Sequence, residues 1–126
     1  MTSEASLAAA AFVAERLPAA TALGNSLADV ITQPDVFQTA LTAGLTGLAD
    51  AAYAAEQERV APGSGSTIGV RWPLVHEIER QLKPAIAETS SSLLVDLAIR
   101  LSGAPTREVR LFALPCRQRS LRDDPE

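Results

Sequence analysis

The chain has 126 residues, which is enough for one domain with its own hydrophobic core but short for an array of helical repeats. Hydrophobic residues make up 47% of the sequence, yet aromatic residues only 4%, and this alanine-rich composition favours layers of helices over a β-sandwich. The single cysteine excludes an internal disulfide, so a cytoplasmic location is expected. The net charge of −4 alone argues against a nucleic-acid partner.

The charge is nevertheless unevenly distributed. Residues 1–60 hold two basic residues against seven acidic ones, whereas residues 100–122 hold six arginines and one acid, Glu108. The N-terminal residues lack the positive charge before an apolar core that a signal peptide needs, and no segment is expected to reach the ~20 apolar residues of a membrane span. We therefore expect no membrane partner, while the basic region leaves phosphate binding open.

The first two helices are predicted from apolar residues at helical spacing. Leu7, Ala10, Ala14 and Leu17 define a helix over residues 5–17, which Pro18 is expected to end. A second stripe predicts a helix over residues 23–31, ending before Pro34.

A third helix is predicted from Pro34 to about Arg59, because proline suits the first turn of a helix. Gly44 and Gly47 lie inside it and mark either the close approach of a neighbouring helix, which we favour, or a weaker part of the helix. Residues 61–71 follow as a loop rich in glycine, serine and proline.

That loop contains Gly63, Gly65 and Gly69, which could suggest a phosphate-binding loop. No Gly-Lys-Ser/Thr follows the glycines and no strand is predicted before them, so a plain connection is expected. Three further helices are predicted after it, over residues 72–82 up to Pro84, residues 85–102 up to Gly103, and from residue 105 past Phe112. Pro115 should kink or end the last helix and leave residues 116–126 as a frayed tail.

Six helices with short connections predict an all-α fold of antiparallel helix pairs, either an α-solenoid fragment or a small helical bundle. The chain is divided into an acidic, alanine-rich segment (residues 1–60), the loop (residues 61–71) and a second helical portion with a basic tail (residues 72–126), which together form one domain.

No catalytic residue, metal site or cofactor is expected. His76 is the only histidine, and Arg80 stands where a helical zinc-protease motif needs its second histidine. Cys116 has basic neighbours but no general base beside it. Asp96 and Arg100 are four residues apart on one helix and are expected to form an ordinary ion pair.

The arginines near the C-terminus are the candidate DNA-binding residues. Arg107 and Arg110 are three residues apart on one predicted helix face, and Arg117 and Arg119 follow beyond the expected kink. Guanidinium groups in fixed positions bind phosphates. The alternative is a basic face exposed to water that also complements a helix C-terminus.

Two stretches resemble the DNA alkylation repair family of HEAT-like repeat proteins. Residues 48–65 (LADAAYAAEQERVAPGSG) with residues 68–75 (IGVRWPLV) resemble the family's opening helix, its loop and the start of the next helix, and residues 105–114 (PTREVRLFAL) are similar to the helix that opens a later repeat. The resemblance implies a curved stack of antiparallel helix pairs, HEAT-like over residues 72–126, with a concave basic face that holds duplex DNA. The family's catalytic carboxylate and tryptophans lie in repeats beyond the resembled part, so no catalytic residue carries over.

Two functions follow as expectations. The first is a HEAT-like domain, non-catalytic alone, that binds the backbone of duplex DNA weakly and without sequence preference through Arg107, Arg110, Arg117 and Arg119. The second is a helical protein-interaction or scaffold module with no nucleic-acid role, in which an uncapped helical face mediates association, including self-association.

Overall fold

The computed structural model describes residues 4–60 and 66–123. The described chain is helical apart from short connections, which confirms the all-α prediction. Its seven helices are α1 (Glu4–Ala28), α2 (Pro34–Gly47), α3 (Ala51–Val60), α4 (Trp72–Glu88), α5 (Ser91–Ser102), α6 (Arg107–Leu111) and α7 (Ala113–Asp123).

Two prolines that were predicted to end helices lie inside them. Pro18 lies within α1 and Pro84 within α4, so the predicted helices 5–17 and 23–31 form one long helix, and the fifth helix begins at Ser91. A proline removes one backbone hydrogen bond, but packing on both of its sides can hold a helix together. In α4, the buried side chains of Leu82 and Ile86 flank Pro84 and provide that packing.

The predicted third helix is interrupted between Gly47 and Ala51. Asp50 causes the new start, because its Oδ1 accepts hydrogen bonds from the backbone N–H groups of Ala52 (3.0 Å) and Tyr53 (3.4 Å), as an N-cap carboxylate does. Its own N–H donates to the carbonyl of Gly69 (2.9 Å), which ties the start of α3 to the connection that precedes α4.

The C-terminal helices also differ from the prediction. The break falls at Phe112, and Pro115 lies in the first turn of α7, where its missing N–H costs no hydrogen bond. Residues 113–123 are helical rather than a frayed tail, and Cys116 is buried; residues 124–126 of the predicted tail lie outside the described residues.

Helix α1 packs along α4, and the two run in the same direction. Thr21 Oγ1 of α1 donates to Glu77 Oε2 of α4 (2.5 Å), and Gly24 lies against the backbone of Ile78. Leu17 lies near Pro73, so residue numbers rise together along the contact. The largest helix contact is therefore parallel, and it joins two helices that are separated along the chain by α2 and α3.

Antiparallel pairs do form elsewhere. Helices α1 and α2 make a hairpin in which Leu23 packs directly over Gly44, and this confirms the close approach predicted at that glycine. The same prediction is wrong for Gly47, because no described residue beyond its own helix turn lies within 4 Å of where its Cβ would be. Helices α5 and α7 also pack together, and Arg119 of α7 donates to the carbonyl of Ala87 in the last turn of α4.

The hydrophobic core draws on α1, α2 and α4 to α7. Its largest fully buried side chains are Phe37, Phe112, Leu27, Leu41, Leu45, Leu74, Ile78, Leu82, Leu94, Leu97, Leu101 and Val75. In α2, α4 and α5 the buried apolar residues recur at helical spacing and therefore lie on one face of each helix. The opposite face of each helix is turned outward.

The connection between α3 and α4 is clamped by Glu108 of α6. Its carboxylate accepts four hydrogen bonds, from Thr67 Oγ1 (2.7 Å) and from the N–H groups of Ile68 (2.9 Å), Gly69 (2.7 Å) and Val70 (3.2 Å). The N–H group of Gly69, which a phosphate-binding loop would use, is therefore already bonded to the carboxylate of Glu108. Gly63 and Gly65, named with Gly69 for that function, lie outside the described residues.

One described helix, spanning Ser6–Ala28, is long and apolar enough to cross a membrane by length and composition. No segment of this kind was expected from the sequence. A core helix of a soluble protein or a signal sequence passes the same test, so the finding is weak support for a membrane span.

Candidate binding groove

An open groove runs between the outer face of α4 and the residues from the end of α6 into α7. It consists of two adjoining parts of about 490 Å³ and 420 Å³ that share Lys83, Ile86, Pro115 and Gln118. We call it the α4–α7 groove. On α4 it is lined by Trp72, His76, Glu79, Arg80, Lys83, Pro84, Ile86 and Ala87, and on the other side by Leu111, Leu114, Pro115, Gln118 and Arg119.

The helical repeat of α4 explains why these residues share one wall. Trp72, His76, Glu79, Lys83 and Ile86 are spaced by three or four residues, which places them on one face of a helix. The core residues of α4 occupy the adjacent face. The groove forms because α4 packs into the core through its apolar face, while the neighbouring face, which contains Trp72 and His76, stays accessible to solvent.

Apolar side chains stand exposed on both walls. Trp72 at one end is 49% exposed and Leu114 on the opposite wall is 54% exposed, while Ile86 is buried. The indole of Trp72 packs edge-on against the His76 ring, with centroids 4.7 Å apart. Tryptophan is enriched among the residues that contribute most to binding at protein interfaces.

Cations outnumber anions along the groove. Arg80, Lys83 and Arg119 line it against one acid, Glu79. Burial raises the pKa of Glu79, and nearby His76 opposes that rise in part. Arg80 is engaged by Glu77 at 2.9 Å, whereas Lys83 makes no ion pair with any described residue.

The four arginines predicted to bind DNA are not gathered into one depression. Arg119 lines the α4–α7 groove, while Arg117 lines a separate depression between α5 and α7. Arg107 and Arg110 line neither.

Three of these guanidinium groups hydrogen-bond to neutral oxygens of the chain itself. Arg107 Nη2 donates to Gln57 Oε1 (3.0 Å), Arg110 Nη1 to the Ala104 carbonyl (3.0 Å) and Arg119 Nη2 to the Ala87 carbonyl (2.7 Å). Each of the three therefore has a structural role in addition to its charge.

The remaining candidate residues have structural environments. His76 is exposed on α4. Arg100 Nη1 pairs with Asp35 Oδ1 of α2 at 2.8 Å, so the predicted pair with Asp96 is wrong, because the start of α2 packs beside α5. Burial raises the pKa of the Cys116 thiol to about 11. Among residues 4–60 and 66–123, no cluster of three or more His, Cys, Asp or Glu side chains could hold a metal ion.

Comparison of the chain with protein-family models, with curated proteins and with solved structures finds no match. The resemblance to the DNA alkylation repair family therefore stays a prediction.

Sequence reasoning did not identify the α4–α7 groove. One signal was present: Trp72, His76, Glu79 and Lys83 form a second, mixed stripe on α4 beside the apolar one. The opposite wall could not be inferred, because it depends on the break at Phe112 that turns α7 toward α4.

Proposed function

We propose that this chain is a helical protein-interaction module that binds a partner helix in the α4–α7 groove. The observation that carries the proposal is a continuous groove with exposed apolar side chains, Trp72 and Leu114, on opposite walls. Amphipathic helices bind in such grooves through side chains spaced three and four residues apart.

The length of the groove suits a short helix. From Trp72 to Ile86 the α4 wall spans 14 residue steps, which corresponds to about 21 Å at 1.5 Å per residue. A partner segment of about four helical turns matches that length. Such a partner would place aliphatic side chains between Trp72 and Leu114 and keep its polar side toward water.

A designed peptide tests this proposal. We would titrate a 14-residue amphipathic helix with a leucine stripe into the isotope-labelled protein and map amide shifts by NMR. We expect the shifts to concentrate at residues 72–87 and 111–119, and Trp72→Ala to weaken binding by about tenfold or more, as loss of an interface anchor does.

A matched control lies on the face of α5 and α7 that contains Val95, Ile99 and Leu121. Ile99 is 68% exposed, so Ile99→Ala removes a comparably exposed apolar side chain outside the groove. This variant should bind the peptide like the parent chain. Shifts centred on Val95, Ile99 and Leu121 instead would place helix binding on that face and overturn the proposal.

Weak binding to the DNA backbone is a second proposal. Arg107 and Arg110 make no ion pair with a described carboxylate and donate to neutral oxygens, so their charge is not cancelled by a direct partner. We would measure anisotropy of a labelled duplex at low and physiological salt beside Arg107→Ala/Arg110→Ala. Binding that weakens steeply with salt and falls in the variant would support it, and absence of binding at low salt would reject it.

The finer expectations also stay predictions. These are the HEAT-like repeat architecture, the relation to alkylation repair, self-association and a cytoplasmic location. Sedimentation at increasing concentration would test self-association, because a clean monomer at high concentration would exclude it.

A further inference from the structure

We infer that the helix bound by the α4–α7 groove is acidic, with carboxylates on its flank that face Lys83. This inference rests on the proposed function and adds the chemistry of the partner. It follows from the charge of the groove walls, from the place of Lys83 within the groove, and from the apolar side chains that accompany it.

The groove is locally basic on an acidic protein. The whole chain carries a net charge of −4, yet the groove contains Lys83 and Arg119 against Glu79, besides Arg80, which is paired with Glu77. Complementary charge across an interface steers the encounter and sets partner choice. The positive charge of the groove therefore favours a partner helix that carries carboxylates.

Lys83 is the cation best placed to select the partner. It lines both parts of the groove, so it lies near the middle of the groove, and it forms no ion pair with any described residue. Arg80 is engaged by Glu77 through two hydrogen bonds of 2.9 Å and 3.0 Å, and Arg119 holds the Ala87 carbonyl. The Lys83 ammonium is thus the group with its donors available to an incoming carboxylate.

Apolar walls favour a protein helix over a nucleic acid. Trp72, Leu111, Leu114 and Pro115 share the groove with the cations. A phosphate backbone has no aliphatic face to cover these side chains, whereas an amphipathic helix presents aliphatic and acidic side chains on adjacent faces.

Three designed peptides test the inference. All have 14 residues and the same leucine stripe, and their flanking positions carry Glu, Gln or Lys. We expect the Glu peptide to bind more tightly than the Gln peptide by about threefold to tenfold at low salt, as one or two exposed ion pairs would give, and the difference to shrink at physiological salt.

Two variants assign that preference to Lys83. Lys83→Glu should remove or reverse the advantage of the Glu peptide over the Gln peptide, measured as the ratio of the two affinities in the variant. Arg59→Glu makes the same change in net charge on α3, outside the groove, and should keep the order of the three peptides. Both positions are exposed, and circular dichroism would verify that each variant is folded.

The outcomes distinguish helix binding in the groove from the acidic chemistry of the bound helix. If none of the peptides binds, the proposed function is wrong. If all three bind equally in the groove, or the Lys peptide binds best, the groove is a helix site but the acidic partner is wrong. A DNA duplex that displaces the Glu peptide from the groove and shifts the amides around Lys83 would make nucleic acid the occupant and would also overturn the inference.

Discussion

The carboxylate of Glu108 accepts a 2.7 Å hydrogen bond from the backbone N–H of Gly69, 39 residues earlier in the chain. Burial alone would raise the pKa of Glu108, but hydrogen bonds from Thr67, Ile68 and Gly69 outweigh it and hold the pKa below its ordinary value. A residue in the basic C-terminal region thus acts as an internal anion for the connection between α3 and α4. That connection sets where Trp72 begins α4, and so positions one end of the groove.

Loss of the Glu108 carboxylate should destabilise the fold. Glu108→Ala leaves the N–H groups of Ile68, Gly69 and Val70 without their acceptor in a buried setting, and we expect a loss of about 2–4 kcal/mol in the free energy of unfolding. Glu108→Gln retains an acceptor oxygen and should cost less. Urea denaturation measures both.

The control for Glu108 is Glu58→Gln, which removes one negative charge from an exposed position of α3. It should shift the unfolding midpoint only slightly. An equal loss in Glu58→Gln and Glu108→Gln would mean that net charge, and not the hydrogen-bonded clamp, accounts for the effect.

Gly69 should not tolerate a side chain. Its φ of 91° is in the left-handed region, and a Cβ there would lie 2.5 Å from the Cβ of Ala54 in α3. Gly69→Ala therefore combines backbone strain with a clash, and we expect a loss of about 1–3 kcal/mol in the free energy of unfolding. Wild-type stability in Gly69→Ala would show that α3 does not pack against this connection as described.

Two glycines of α2 offer an internal comparison. Among the described residues, none beyond its own helix turn lies within 4 Å of a Cβ added at Gly47, so Gly47→Ala should stabilise the protein by up to about 1 kcal/mol through helix propensity. Gly44→Ala would collide with Leu23 of α1 and should destabilise it despite the same gain in propensity. Thermal unfolding followed by circular dichroism compares the two, and stabilisation of both would contradict the α1–α2 contact.

Local signals in the sequence predicted several elements correctly. Helices begin at Pro34 and at residue 72 as predicted, and Gly103 follows the end of α5. The prediction failed where tertiary contacts overrule a local signal. Pro18 does not end α1, because the packing of α1 on α4 continues past it.

The α4–α7 groove and the hydrogen bonds of Glu108 could not be predicted from local sequence patterns for the same reason. Glu108 was visible only as one acid among arginines, since its hydrogen-bond partners lie about 40 residues away along the chain. The pairing of Arg100 with Asp35 likewise depends on how α2 meets α5. Spacing within a single helix carries no information about either contact.

Acid should weaken the fold partly through Glu77. Hydrogen bonds from Arg80, Thr21 and Gln81 lower the pKa of Glu77 from its ordinary value of 4.5 to about 2. Since the folded pKa is below the unfolded one, this contribution to stability is present above pH 4.5 and is lost as the pH falls from 4.5 toward 2. Urea midpoints measured across this range should therefore fall as the pH is lowered.

Glu77→Gln tests the assignment of that acid dependence. The variant cannot titrate at position 77, so its stability should change less steeply below pH 4.5, with the remaining slope coming from other carboxylates such as Glu108. Glu58→Gln again serves as the control and should keep the parental slope. Identical slopes in the parent and in Glu77→Gln would assign the acid sensitivity elsewhere.

The thiol of Cys116 should be unreactive in the folded protein. Its side chain is buried in α7, and burial raises its pKa to about 11, so little thiolate is present near pH 8. An unfolded cysteine has a pKa of about 8.5, and we expect a disulfide reagent such as DTNB to react at least about 100-fold more slowly with the native chain than with the chain in urea. The rate of colour development at pH 8 measures this directly.

The thiol measurement also reports on the C-terminal helix. If α7 is packed through Cys116, the rate should rise with urea along the unfolding transition seen by circular dichroism, because exposure of the thiol then requires loss of the packed helix. Rapid labelling of the folded chain without urea would instead show that residues after Pro115 detach from the core. In that case the wall of the α4–α7 groove formed by Leu114, Gln118 and Arg119 would not persist in solution, and the proposal of a helix-binding site would lose its structural basis.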